Sequence, residues 1–594
     1  MPGLPPPARW PLLPSVAIIA LTLCTIMVAL GWHTIASLAF RDPDDAMRYV
    51  EVRDFVAGQT WFDVSQHRVN PPVGGPMHWS RLVDQPIAAL MLILRPLLGV
   101  AMADRIALTI VPLSILCGLF LMLALAVQRL TGTLPAIMTA ALLALSMPVL
   151  IQFQPTRIDH HGWQILMAAV ALWATFDRQA RRGGIIAGLA VAFWTHVSSE
   201  GLPYAALFGG IFAIAFLRDE REWHRLSAYA LSFTAGAALL VLATRGWPDA
   251  ARFYCDAISP VYLLPMTVAS ATLLSLRSLF GADHVVRRAA TPALAAVAGA
   301  AVYLMIGGSC RGGPFQTLDP VVYTYWYLHV SEGRPVWEQT PLMAAIVIVP
   351  PLIGMAGCAL AWRKAPTPHH RFAWLMMLLV SGGAYAVSLM VMRALSIANV
   401  MALPGLAMLL LMLLPKAQGL RSAPGRVFAT AALCALTPIG VSALAASVLP
   451  GEPANTPNPA AADGKSAADC TGQAQLQRLT ALPRGTIMAP MDISPYLLAF
   501  TPHSVVATPH HRNDIGMRAV ILTFMGTADE ARVIMRRHKI AYLAYCPGRA
   551  ETDSYARNNR AGLMQALNDG RTPAWLTPVP LPAGDALRLY RVQP

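Results

Sequence analysis

Between Phe40 and Gly58 the chain reads FRDPDDAMRYVEVRDFVAG, placing Asp42, Asp44, Asp45, Arg48, Glu51, Arg53 and Asp54 just beyond an apolar run. Three other places carry isolated ionisable groups between apolar stretches: Asp159, His160 and His161 in QPTRIDHHGW, Glu332 in LHVSEGRPVW, and Arg393 in SLMVMRALSIANV. Ionisable groups at membrane boundaries are costly and tend to be functional. Carboxylates with an imidazole can hold a divalent cation, and hard oxygen ligands favour magnesium or manganese. Such an ion can neutralise a phosphate or diphosphate leaving group. An arginine at the boundary can grip the same phosphate through two parallel hydrogen bonds. A remaining carboxylate can orient or deprotonate an acceptor. The set suits a substrate whose lipid tail stays in the bilayer and whose phosphate-linked head group lies outside. Blander readings stand beside this one. A lone Asp can be a solvated loop charge, Asp159 a helix N-cap, and Arg393 a side chain snorkelling to lipid head groups. His510, His511 and Arg512, and the pair His369 and His370, are read as having no role in the site.

The elements that must carry these groups are membrane helices. Of the 594 residues, 56% are hydrophobic and only 13% charged. Runs near the length of about 20 residues that a spanning helix needs recur from Val16 to Leu449. About 13 spans are expected, over 16–39, 105–128, 134–153, 161–176, 184–198, 202–217, 226–244, 261–280, 290–307, 341–362, 372–391, 394–415 and 427–449. The first has no small-residue cleavage pattern and reads as a retained anchor. The formal net charge of +14 does not indicate nucleic acid, because the basic residues cluster in alternate short loops, among them Arg178, Arg181 and Arg182, then Arg218, Arg221 and Arg225, then Lys416, Arg421 and Arg426. By the positive-inside rule these loops and the N-terminus are cytoplasmic. Segments 41–104, 155–160, 308–340 and everything after 450 then lie outside.

The expected organisation is a transmembrane part over 1–450, with outer loops 41–104 and 308–340, a linker over 451–469 and a small α/β domain over 470–594. PIAALMLILRPLLG (86–99) is apolar, short and proline-containing, and is expected to lie along the membrane or re-enter it. EPANTPNPAAADGKSAAD (452–469) has linker composition. In the tail, GTIMAP, HSVVAT and KIAYLAYC read as buried strands, and TADEARVIMRRH and NRAGLMQAL as helices. Cys470 and Cys546 fall in this outer tail, where an oxidising compartment lets cysteines pair; free thiols are the open alternative.

The ordered motifs resemble those of the catalytic subunit of oligosaccharyltransferase, a membrane glycosyltransferase of the GT-C class. DPDDAMR (42–48) is similar to that family's first outer-loop motif, DHH (159–161) to its second acidic motif in archaeal form, VSEGRPVW (330–337) to its Ser-Val-Ser-Glu motif, and MVMRALSIANVMALP (390–404) to its Met-Val-Arg helix. HVSSEG (196–201) is weakly similar to another outer-turn motif. The resemblance covers about 40–405. It implies a polytopic α-helical GT-C fold in which Asp42 is a catalytic and metal-binding carboxylate, Asp159 and His161 approach the metal, Glu332 holds acceptor and metal, and Arg393 binds the phosphates. Asp44, Asp45, Arg48 and His160 are secondary candidates. The tail departs from the family: where a Trp-Trp-Asp-Tyr-Gly signature is expected, this chain has APMDISPY (489–496), retaining only Asp492. The stretch looks like that of bacterial relatives, and the acceptor is expected not to be a protein asparagine.

The expected activity is inverting transfer of a sugar or glycan from a polyprenyl-(di)phosphate donor to a glycan, lipid or protein acceptor, aided by Mg2+ or Mn2+. The expected location is the bacterial inner membrane, with the C-terminal domain periplasmic. Partners are the lipid-linked donor and membrane lipid, with no nucleic acid. A transporter or flippase of lipid-linked glycans is the alternative. It predicts internal repeats and a charged path to both faces; no repeat is visible, and the charges gather on one face. A non-catalytic anchor leaves the acidic set and Arg393 unexplained.

Overall fold

The computed structural model describes residues 11–450, 470–582 and 584–593. Among these residues, nine helices are long and apolar enough to cross a membrane: Leu12–Leu30, Val100–Leu130, Ser199–Arg218, Glu220–Arg245, Pro260–Phe280, Val285–Ile306, Pro341–Arg363, Pro368–Met390 and Met392–Gln418. Two further expected spans are sharply bent pairs, Thr133–Leu143 with Met147–Phe153 (69°) and Ala423–Ala435 with Pro438–Val448 (90°). Each second half has a proline in its first turn, which removes an N–H that would otherwise continue the preceding helix. The last two expected spans form as His161–Thr175 and Ala180–Val197, of 15 and 18 residues. The first is shorter than the roughly 17–25 residues of a full crossing, and the second is at the lower end of that range. The chain is a multi-pass membrane protein.

The helix Ala180–Val197 is held against its neighbour by close backbone approach. A Cβ at Gly184 or Gly188 would strike the backbone of helix Trp223–Arg245 at Arg225 or Tyr229. Small residues at such spacing let membrane helices pack where lipid gives no hydrophobic drive. The same device joins Pro341–Arg363 to Leu395–Gln418, where Gly357 faces Gly405. The segment expected along the membrane belongs to one helix, Arg81–Leu98, despite Pro86 and Pro96. Ile87, Ala88 and Met91 are buried, whereas Leu92, Ile93, Leu97 and Leu98 are exposed, as in a helix lying along a bilayer surface.

The tail forms a five-stranded mixed sheet in the order Ser504–Val505, Thr486–Met488, Ile540–Tyr545, Arg588–Val592, Leu576–Pro578. The first three strands are mutually parallel and the last two pairings antiparallel. The expected strands and the helices Ala528–Arg537 and Leu563–Asn568 are all present. The expected linker over 452–469 lies outside the described residues.

This domain is locked to the loop that follows the first membrane helix. Helix Ser494–Phe500 is buried throughout against helix Pro43–Val56. Its last carbonyls, which no helical N–H can satisfy, accept from two arginines of that loop. Arg53 donates to Ala499 (2.6 Å) and Leu498 (3.2 Å), and Arg68 to Leu498 (2.9 Å) and Thr501 (2.9 Å). Residues 68–70 also extend the domain's sheet edge: Val505 donates to Arg68, and Asn70 donates to Val505.

Two disulfides close the loops. Cys470–Cys546 staples the domain. Cys255–Cys310, which sequence spacing did not single out, joins the loops after the helices Trp223–Arg245 and Val285–Ile306. Cys24, Cys117, Cys358 and Cys434 are free thiols. Alkylation of the unreduced, denatured protein is therefore expected to label only those four of the eight cysteines. Peptide mapping should recover the two crosslinked pairs; labelling of Cys255 or Cys470 would contradict this arrangement.

Candidate active site

The acidic stretch opens the helix Pro43–Val56. Asp42 is its N-cap and accepts from the Asp44 backbone N–H at 2.9 Å, with Pro43 next in line, a favourable start for a helix. Asp44 and Asp45 occupy the first turn, where the helix dipole favours carboxylates. Asp45 is fully buried. It faces the turn 154–160, accepting from the N–H groups of Ile158 (2.9 Å) and Asp159 (3.0 Å) and from Arg157 Nη1 (2.8 Å).

Arg157 binds this turn to the helix. Its Nη1 lies 3.1 Å from Asp42 Oδ2, and its Nη2 lies 3.7 Å from Asp159 Oδ2. One guanidinium thus offsets three carboxylates. Arg157 precedes DHH by two residues, yet nothing in the spacing shows that it turns toward Asp42 and Asp45.

Beyond the turn, Asp159, His160 and His161 bring one ligand atom each to within 4.8 Å of one another, all buried. Asp159 Oδ1 lies 2.5 Å from His160 Nδ1, and Asp159 Oδ2 lies 3.2 Å from His161 Nε2. Asp159 Oδ2 is buried with no hydrogen-bond donor, an arrangement that favours a bound cation over an empty pocket. Burial opposes charge on Asp159, but His160, His161 and Arg157 outweigh it and hold its carboxyl well below the ordinary range. For Asp44 the balance is reversed. Burial, then the charges of Asp42, Asp159 and Glu332, hold its carboxyl well above the ordinary range, with Arg157 opposing. A site crowded with carboxylates and presenting two imidazoles fits a divalent cation.

Asp42 and Glu332 are not in that close group. Asp42 is engaged by Arg157, and Glu332 sits on Arg393, 3.4 Å from its Nη2. The other side of Arg393 meets Glu200, 3.1 Å from Nη1. Glu200 comes from the HVSSEG turn and also approaches Gln164 at 3.5 Å. Arg48 is fully buried and turns away from the cavity. It donates to Asp84 at 2.7 Å, passes 3.9 Å from Asp159 and lies 4.3 Å from the centroid of the Trp79 ring. Its place is beneath the site, as a support.

Several of these groups face two adjoining spaces. A cavity of about 610 Å³, aromatic over part of its wall, is lined by Asp42, Asp44, His160, Glu200, Glu332 and Arg393, with Asp492 and Glu551 of the C-terminal domain above them. A much smaller, mainly apolar pocket of about 70 Å³ lies between the helices and is lined by Ile165, Tyr204, Val387, Val391 and Ile397. The two meet at Glu200 and Arg393, which line both. On the domain side, Glu551 accepts from the backbone N–H groups of Met491 and Asp492 (both 2.8 Å) and from Tyr555 (2.5 Å). Burial and then Asp492 push the Glu551 carboxyl up to about 8. His510, His511 and Arg512, read from sequence as having no role, also reach this region. His510 and His511 line the cavity, and His510 Nε2 lies 3.5 Å from Asp44 Oδ1. Adjacent histidines carry no periodic signal, so only the docking of the domain reveals their position.

The buried Asp45 ion pair is the contact on which the site's geometry turns. Removing one partner of such a pair leaves an uncompensated charge and costs about 3 kcal/mol or more. Asp45→Ala should lower the thermal unfolding midpoint in detergent and abolish turnover, whereas Asp54→Ala, in the same helix, should change the midpoint little. Equal midpoints for Asp45→Ala and wild type would overturn this role for Asp45.

No protein-family model and no curated protein matches the chain. Solved structures do. The archaeal oligosaccharyltransferase AglB from Archaeoglobus fulgidus, in complex with an inhibitory peptide and a dolichol-phosphate, superposes with a TM-score of 0.64 at 15% identity, over 95% of this chain and 72% of that one. The same organism's oligosaccharyltransferase tethered to an acceptor peptide containing the NVT sequon gives 0.63 at 14% identity, over 89% and 69% of the two chains. Its complex with Zn and sulfate gives 0.59 at 15%, over 90% and 68%. Likeness at this identity is likeness of fold, and the chain accordingly has the polytopic membrane fold, with its small C-terminal sheet domain, of the archaeal oligosaccharyltransferase.

Proposed function

We propose that the protein is an inverting glycosyltransferase that moves a sugar or glycan from a polyprenyl-(di)phosphate donor to an acceptor at the domain-bearing face of a bacterial plasma membrane, the N-terminus being cytoplasmic and the domain periplasmic. The observation that carries this reading is the junction at Arg393. A small, mainly apolar pocket between helices and a larger cavity bearing several carboxylates adjoin at Arg393 and Glu200. A lipid phosphate needs that sequence of surroundings: hydrocarbon, then cation, then a polar chamber for the sugar. The dolichol-phosphate of the AglB complex and the sulfate of another support it.

In the free protein Arg393 is held by Glu200 and Glu332. These carboxylates keep the guanidinium in place and are exchanged for phosphate oxygens when donor binds. Glu332, 42% exposed at its side chain, is then free to orient the acceptor. The acceptor nucleophile attacks the anomeric carbon on the face opposite the phosphate. The bond from that carbon to the phosphate oxygen breaks, and the acceptor proton passes to a carboxylate of the cavity wall, Asp42 or Glu332. Asp159, His160 and His161, with Asp42 and Asp44 beside them, are the residues that would hold a divalent cation. When bound, it would neutralise charge developing on the phosphate. Two imidazoles in the set favour manganese over magnesium. At the top of the cavity, APMDISPY keeps only Asp492 of the signature that the resemblance leads one to expect, which favours an acceptor other than a protein asparagine.

The test measures consumption of polyprenyl mono- and diphosphate sugars by purified protein in nanodiscs. Arg393→Ala removes two charge-assisted hydrogen bonds of about 1.5 kcal/mol each, so kcat/KM should fall roughly 100-fold, mainly through weaker donor binding. Asp159→Asn should lose turnover while still binding donor, and chelation should silence the wild type until Mn2+ is restored. Turnover indifferent to both substitutions would sink this site; turnover indifferent to chelation would remove the metal from it.

A further inference from the structure

A second group of metal-ligand residues lies on the cavity wall, apart from Asp159, His160 and His161. His78, Asp256 and His511 bring one ligand atom each to within 4.8 Å of one another. They come from three separate segments. His78 precedes helix Arg81–Leu98, Asp256 follows the disulfide-bonded Cys255, and His511 belongs to the C-terminal domain. We propose that these residues form a second site, for a borderline divalent cation of the zinc type, which pins the C-terminal domain to two loops of the membrane part.

The donor chemistry points to this class of ion. Two imidazoles and one carboxylate are a zinc-like set, with a fourth position left for water. The rings of His78 and His511 lie 4.6 Å apart, centroid to centroid. His511 Nε2 lies 2.8 Å from Asp256 Oδ2. Two ligands about 2.05 Å from a tetrahedral zinc are themselves ~3.3 Å apart, so this pair must open by only about half an ångström to admit the ion. His78 Nδ1 is buried and has no hydrogen-bond partner, which leaves one imidazole nitrogen in the group unsatisfied.

The surroundings are those of a supported ligand. Asp256 is gripped by Arg512, whose Nε and Nη2 donate to Oδ2 (2.8 Å) and Oδ1 (2.9 Å). Metal-bound carboxylates are commonly held in this way by an outer partner. Arg512 is itself fixed, donating to the Met77 carbonyl at 2.9 Å and lying 4.4 Å from the Tyr254 ring centroid. With Arg512 retaining Oδ1, Oδ2 can turn to the ion. Phe315 packs edge-on against His511, 5.0 Å between centroids, and the loop carrying Phe315 is stapled to Asp256's neighbour by Cys255–Cys310. A cation here would therefore fix the same loop that supplies Glu332.

The full-length protein in detergent would be stripped with a chelator, dialysed against Zn2+ and assayed for zinc by mass spectrometry. Wild type and Asp159→Asn would be compared with His78→Ala and His511→Ala, each in both backgrounds. The expected result is one zinc fewer per chain in each histidine variant, a loss that persists in the Asp159→Asn background. Should either variant fail to remain monodisperse, anomalous diffraction at the zinc edge from the wild type decides. A peak between His78, Asp256 and His511 supports the site, and its absence there overturns it. Zinc content unchanged in a monodisperse His78→Ala protein also overturns it. Neither readout depends on turnover, so failure of this site and failure of the transferase reading are separate results.

Discussion

A buried carboxylate that must be paid in full organises the centre of this molecule. Asp45 has no exposure to water; burial pushes its carboxyl up to about 7 against the pull of Arg157, so a charge there depends on every partner it has. Two backbone N–H groups and Arg157 are those partners. The pairing draws the turn 154–160 onto the first turn of helix Pro43–Val56. Asp159, His160 and His161 thereby stand beside Asp42 and Asp44, although more than one hundred residues and a 31-residue helix separate them in the chain.

The second constraint is the union of the membrane part with the C-terminal domain. The carbonyl end of helix Ser494–Phe500 needs donors, and Arg53 and Arg68 provide them from the loop that begins with the acidic motif. The same loop adds an edge to the domain's sheet. The cavity is consequently a chamber with a membrane-side floor and a domain-side roof. Its floor presents Asp42, Asp44, His160, Glu332 and Arg393, and its roof Asp492, Glu551 and Tyr555. In the proposed reaction the roof faces the acceptor, which is the part of the chain that departs furthest from the motifs the floor resembles.

The floor is also balanced electrically before any ligand arrives. Arg157 answers Asp42, Asp45 and Asp159, and Arg393 answers Glu200 and Glu332. The two arginines differ in accessibility and so in task. Arg157 is tied by short bonds to a fully buried partner, whereas Arg393 is held by two longer contacts to partly exposed carboxylates beside a small apolar pocket. Arg157 is a fastening, whereas in the proposed reaction Arg393 exchanges its carboxylates for a phosphate.

Much of this architecture was legible in the amino-acid order because a bilayer imposes one-dimensional rules. Spanning helices require long apolar runs, so the runs and the loops bearing Asp42, Asp159, Glu332 and Arg393 could be located from hydropathy, whereas the sharp bends before Pro148 and Pro438, inside runs that read as continuous, emerged only in the fold. Strands and helices of the tail followed from their periodicity. What the order of residues could not decide was which charge meets which. Arg157 and Arg48 are both arginines near acidic motifs, yet one closes the acidic turn and the other retreats to Asp84. Glu332 reads as a possible metal ligand and instead rests on Arg393. His511 and Asp256, 255 residues apart, meet only because the domain docks where Arg53 and Arg68 hold it. Periodicity fixes where a side chain stands along its own element; the partner it finds across the fold depends on packing between elements, and that was decided by the tertiary structure alone.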